Sequence, residues 1–96
     1  MFAALCRAAG LPEPIAEYQF APPRRWRLDW AFLEAKLAIE VQGGLFSGGR
    51  HVRGAALLKE HEKLNALATA GWRVLFMTPT QFAAGDAIEM VKRALR

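Results

Sequence analysis

The strongest constraint on this chain is a pair of short alternating segments lying almost side by side in sequence. From Trp26 to Phe32, the residues Trp26, Leu28, Trp30 and Phe32 share one parity, and Arg25, Arg27, Asp29 and Ala31 the other, which is the period of a half-buried strand. Leu37-Ala38-Ile39-Glu40-Val41-Gln42 repeats the pattern with Leu37, Ile39 and Val41 apolar and stops at Gly43-Gly44, so the two segments predict a β-hairpin. A symmetric loop of two or four residues centred between Glu34 and Ala35 sets Leu28 against Val41, Trp30 against Ile39 and Phe32 against Leu37 on the core side. The same register puts Asp29 opposite Glu40 and Arg27 opposite Gln42. Glu34-Ala35 lacks the Gly or Asn of the tightest turns, and a three-residue loop would offset the two acids by one position.

Around this hairpin the other elements follow from punctuation and period. Phe2, Leu5, Cys6 and Ala9 recur at helical spacing before Gly10, predicting a short packing helix over residues 2 to 9. Pro12 and Pro14 end it, and Glu17-Tyr18-Gln19-Phe20 offers a strand before Ala21-Pro22-Pro23. After the Gly-rich stretch Leu45 to Arg50, residues 54 to 70 read as a helix with Leu57, His61, Leu64 and Ala68 as its stripe, Lys59 and Lys63 on the opposite side, and Gly71 as its stop. Trp72 to Met77 is a nearly continuous apolar run, the pattern of a central strand covered on both faces and reached by a helical crossover. A last helix starts at Thr78 or Thr80, with Phe82, Ile88, Val91 and Leu95 as packing positions. The expected fold is therefore α/β: one small mixed sheet flanked by helices, in the order helix, three strands, helix, strand, helix.

Ninety-six residues supply one modest core, so a single domain is expected and a large multi-site enzyme is not. The chain is 53% hydrophobic and 23% charged, with no repeat, linker or low-complexity segment. Its charge of +4 leans toward a polyanionic partner. Cys6 has no cysteine to pair with, so nothing asks for an oxidising compartment, and as part of the packing helix it is expected in the core. The apolar start has no basic flank and is too short for a signal peptide or a membrane span. A cytoplasmic protein without a membrane partner is the expectation.

Two carboxylates facing each other across a strand pair have Cβ atoms about 5 Å apart and repel unless a cation intervenes. Asp29, then ten residues, then Glu40-Val41-Gln42 resembles the Asp…Glu-x-Lys signature of the PD-(D/E)XK nuclease superfamily, the restriction-endonuclease-like fold. Arg24-Arg25-Trp26-Arg27-Leu28-Asp29, Glu40-Val41-Gln42-Gly43-Gly44, Gly49-Arg50-His51, Glu62-Lys63-Leu64-Asn65 and Gly71-Trp72-Arg73-Val74-Leu75 together look like a phage and bacterial branch similar to the very-short-patch repair endonucleases. The resemblance spans about residues 17 to 78 and implies a Mg²⁺-dependent deoxyribonuclease, with Mn²⁺ as a substitute ion and a bacterial or phage-infected cytoplasm as its setting. The chemistry agrees: phosphodiester hydrolysis needs charge neutralised on the phosphate and a water made nucleophilic, and a hard cation on one or two carboxylates supplies both. Asp29 and Glu40 are the expected ligands, with the Val41 carbonyl a third.

Gln42 stands where that superfamily usually has Lys. An amide can donate a hydrogen bond but brings no positive charge, so either the reaction is metal-driven or another cation substitutes. Arg27, His51, Lys59 and Lys63 are the candidates, and His51 and Lys63 are preferred because each lies in a matching segment. His61 is expected to be packed, and Glu60 and Glu62 to pair along their helix. Arg24, Arg25, Arg27, Arg50, Arg53 and Lys59 are expected to meet DNA phosphates. Trp26 and Trp30, by parity, belong to the core rather than to a stacking platform, and the glycines from Gly43 to Gly49 lack the Gly-Lys-Ser/Thr of a phosphate loop. Two further readings stay open: a non-catalytic DNA-binding or assembly module of the same fold, and a homodimeric nickase acting on junctions or mismatches.

Overall fold

Strands β2 (Arg27–Phe32) and β3 (Leu37–Val41) form the hairpin in the expected register, pairing antiparallel through Trp30–Ile39, Ala31–Ala38 and Phe32–Leu37. The loop has four residues, closed by the Lys36 N–H on the Leu33 carbonyl at 3.1 Å. Lys36 itself takes the left-handed conformation (φ 49°) that a Gly or Asn would adopt more readily. Its ammonium donates to the Ala70 carbonyl at 2.7 Å, tying the hairpin to the end of the long helix.

This computed structural model describes residues 1–42 and 54–96. Beside the hairpin they form α1 (Phe2–Ala8), β1 (Ile15–Gln19), α2 (Gly54–Thr69), β4 (Arg73–Met77), α3 (Pro79–Ala83) and α4 (Asp86–Ala94). The sheet order is β1-β2-β3-β4, antiparallel except for the β3–β4 pair, which is parallel. The protein is thus a small mixed α/β domain with a four-stranded mixed sheet flanked by helices. Gly10 (φ 77°) and Gly71 (φ 87°) follow α1 and α2 in the left-handed conformation. The Leu11 and Trp72 N–H groups reach back to the Cys6 and Leu67 carbonyls, the hydrogen bonding of a Schellman stop.

Two expectations are corrected at the C-terminal end. The segment after β4 is two helices, not one. Thr78 caps α3 in a reciprocal box with Gln81, and Gly85 (φ 88°) breaks the chain before α4. β4 is also an edge strand among the described residues, not a central one. Its apolar run reflects cover on both faces, since Leu75 and Met77 face one core and Val74 the other, while Phe76 remains 44% exposed.

The core accordingly divides across the sheet. On one side Phe2, Cys6, Phe32, Leu37, Ile39, Met77, Ala87 and Val91 are buried together, with Trp30 and Val41 against them. Burial pushes the Cys6 thiol up, away from reactivity. On the other side Leu28, Ala31, Ala38 and Leu67 bury beneath α2. Leu28 departs from its expected place with Trp30 and Phe32, because the pleat of β2 is interrupted at Asp29. The β1–β2 ladder runs Ile15–Ala31, Ala16–Trp30, then Tyr18–Leu28 and Gln19–Arg27, omitting Glu17–Asp29. Glu17 is left-handed there (φ 53°), and the β2–β3 pairing stops at Trp30–Ile39. Leu28 therefore turns to the α2 side.

Truncation at that position, Leu28→Ala, is expected to cost about 3 kcal/mol in urea unfolding. Methyl NOEs from Leu28 should reach Leu67 and not Ile39. Thr78→Ala should cost about 1 kcal/mol through loss of the capping box.

Candidate functional site

The interruption of β2 releases backbone and side-chain groups that a continuous ladder would consume. Val41 points its N–H toward β2, but its partner is the Asp29 carboxylate: the N–H donates to Oδ2 at 2.6 Å. The Asp29 N–H in turn donates to Glu40 Oε1 at 3.3 Å. The two acids are thus bound into one network at the C-terminal end of β3, each fixed by a main-chain group of the opposing strand. A strand residue directs its N–H and C=O to the same edge, so the Val41 carbonyl is also turned toward β2 and Asp29. On the other edge, the Gln42 N–H continues the parallel ladder with the Met77 carbonyl at 2.9 Å.

Glu40 is 7% exposed and has the parity of Ala38, which places it under α2. Its second oxygen, Oε2, accepts from the Lys63 ammonium at 2.6 Å, with both side chains nearly out of solvent at 17% and 10% exposure. The sequence pattern predicts Lys63 on the outer side of its helix, opposite the Leu57–His61–Leu64–Ala68 stripe. The inward stripe is instead Lys63, Leu64 and Leu67, whereas Leu57, His61 and Ala68 are exposed. The apolar residues at the C-terminal half, Leu64 and Leu67, were the signal for that rotation. His61 is correspondingly not packed.

The remaining predicted residues divide clearly. Arg24 lies 3.9 Å over the Trp26 ring, and its guanidinium meets Glu62 at 3.2 Å. Trp26 stacks on Phe20 at 5.9 Å and belongs to neither buried cluster, so it supports Arg24 at the surface rather than filling the core. Glu62 binds across to that turn instead of pairing along its helix. Adjacent residues of α2 therefore link to the β1–β2 turn (Glu62) and to the acid pair (Lys63). Arg27 pairs along β1 with Gln19 and reaches Glu17 at 3.4 Å; the hairpin ladder ends before it could meet Gln42. Arg25 and Lys59 are exposed. His51, Arg50 and Arg53, with the Gly-rich stretch, lie outside the described residues.

Among the described residues no group of three or more His, Cys, Asp or Glu gathers. The donor set at Asp29, Glu40 and the Val41 carbonyl is all hard oxygen, which suits Mg²⁺ or Mn²⁺, ions that commonly take only one or two protein carboxylates and complete their shell with water and phosphate oxygens. A cavity of about 720 Å³ opens at the opposite end of the sheet, lined by Leu11, Ile15, Phe32, Leu33, Lys92 and Arg96 among others. It contains none of the predicted site residues. Among the described residues no helix is long and apolar enough to cross a membrane. Comparison of the chain with protein-family models, with curated proteins and with solved structures found no match.

The Glu40–Lys63 pair gives an energetic test. Lys63→Met strands a buried carboxylate and should cost about 3 kcal/mol, whereas the double change Glu40→Leu/Lys63→Met should return to within about 1 kcal/mol of the parent, or exceed it, in equilibrium unfolding. A double variant as unstable as the single one would mean that the pair is retained for stability.

Proposed function

We propose that the protein is a divalent-metal-dependent endodeoxyribonuclease of the PD-(D/E)XK type, with Asp29 and Glu40 as its metal ligands. The observation that carries this reading is the interruption of β2, which brings the Asp29 and Glu40 carboxylates and the Val41 backbone into one hydrogen-bonded network at the end of β3. The element order adds support, because an antiparallel three-strand unit followed by a helix and a parallel fourth strand is the frame expected of the restriction-endonuclease-like fold. A bound Mg²⁺ would supply charge neutralisation at the scissile phosphate and activation of a water.

The chain's own groups would then divide the work. Asp29, Glu40 and the Val41 carbonyl would hold the ion, and the hydrogen bonds to Val41 and Asp29 already orient the two carboxylates. Lys63 supplies beside Glu40 the positive charge that Gln42 lacks, and the Gln42 amide can donate a hydrogen bond to a phosphate oxygen or water. Arg24, steadied by Trp26 and Glu62, with Arg25 and Lys59, contributes cations for the flanking backbone.

A second reading is favoured by one specific contact. Glu40 is already neutralised by Lys63 at 2.6 Å, as it would be in a DNA-binding module that retained the frame and lost the reaction.

The protein is expected to nick supercoiled plasmid in Mg²⁺ and to stop when EDTA is added. Asp29→Asn, which keeps an acceptor for the Val41 N–H, should lower the rate about 100-fold or more with little change in melting temperature. Glu40→Gln should lower the rate as much and the melting temperature as well, because one of its two accepting oxygens becomes an NH2 that cannot accept from Lys63 or the Asp29 N–H. Salt-sensitive DNA binding with no cleavage in Mg²⁺ or Mn²⁺ would favour the non-catalytic module.

A further inference from the structure

We infer that Lys63 is an exchangeable internal counter-ion: its ammonium holds Glu40 while no divalent ion is bound, and moves to a substrate phosphate oxygen when the ion arrives. This deepens the nuclease reading and rests on it. Glu40 accepts on both oxygens, from the Asp29 N–H on Oε1 and from Lys63 Nζ on Oε2. The first donor belongs to the backbone of β2 and cannot leave without shifting the strand. The second sits on a four-carbon stem with rotatable bonds and can swing away while α2 stays in place.

Electrostatics gives the direction of the exchange. An ion shared by Asp29 and Glu40 places two positive charges beside the ammonium, and in a site where Glu40 is 7% exposed water screens that repulsion poorly. The attraction that holds Lys63 at 2.6 Å becomes a competition for the same carboxylate. Once released, the ammonium can be solvated or turn to exposed Glu60 one turn back on α2, while Glu62 is engaged by Arg24 at 3.2 Å. A phosphodiester brought to the ion places anionic oxygens beside it and is the partner that competes best in so poorly hydrated a site. Metal and DNA would then bind cooperatively, each making room for the other, by an amount that is the same whichever binds first.

The exchange separates from a fixed structural pair in calorimetry with Mn²⁺ and no DNA. Removing a competing cation should make Lys63→Met bind Mn²⁺ about ten-fold more tightly than the wild-type protein. Equal or weaker binding by Lys63→Met, with Mn²⁺ still bound by the wild type and lost in Glu40→Gln, would overturn the exchange and leave the nuclease reading standing. Absence of Mn²⁺ binding in both the wild type and Lys63→Met would overturn the reading itself. A second measurement avoids the variant: in ¹³C relaxation of the wild-type protein, the Lys63 Cε should become more mobile on addition of Mg²⁺. A Cε that stays as ordered with saturating Mg²⁺ as without it would also reject the exchange.

Discussion

The hydrogen bond from the Val41 N–H to the Asp29 carboxylate organises the end of the sheet where the candidate site lies. In an uninterrupted hairpin that N–H would be used by the β2 main chain. Here β2 keeps its register with β1 but leaves the β3 ladder after Trp30–Ile39, and a side chain has taken the place of a carbonyl. Three consequences share this origin: Leu28 crosses to the α2 core, the Asp29 N–H turns to Glu40, and two acidic side chains are held next to each other. Local departures from regular strand geometry gather at functional sites because they re-aim side chains that a continuous ladder would leave pointing apart.

The second constraint is the burial of Glu40. A carboxylate so far from water needs compensation, and the structure provides it with one backbone N–H and one ammonium. Such a pair adds little to stability, because desolvating two charges offsets most of their attraction. An apolar pair would fill the same space under α2. A buried charge in that place is what the proposed metal site would require of Glu40.

Much of this architecture was readable from residues alone, for identifiable reasons. The hairpin register followed from strict period-two alternation in two segments with a short connection, and the stops at Gly10 and Gly71 from the one residue that accepts the left-handed conformation easily. Asp29 and Glu40 were adjacent in any symmetric register. What escaped was set by tertiary context. A left-handed Glu17 has no local sequence signature, so neither the interruption of β2 nor the face of Leu28 could be inferred from parity. Lys63 reads as outward because Leu57 and His61 suggest a stripe, whereas both of those residues are exposed and the inward side of α2 is set by Leu64 and Leu67. Trp26 shared the parity of core residues but lies one position before the strand begins, where Phe20 and Arg24 enclose it instead.

The site stands on the convergence of Asp29, Glu40 and the Val41 carbonyl. The most direct measurement is an anomalous difference map from crystals soaked in MnCl₂. The account predicts a peak coordinated by one oxygen from each of those three residues; side chains directed apart, with no peak between them, would contradict it.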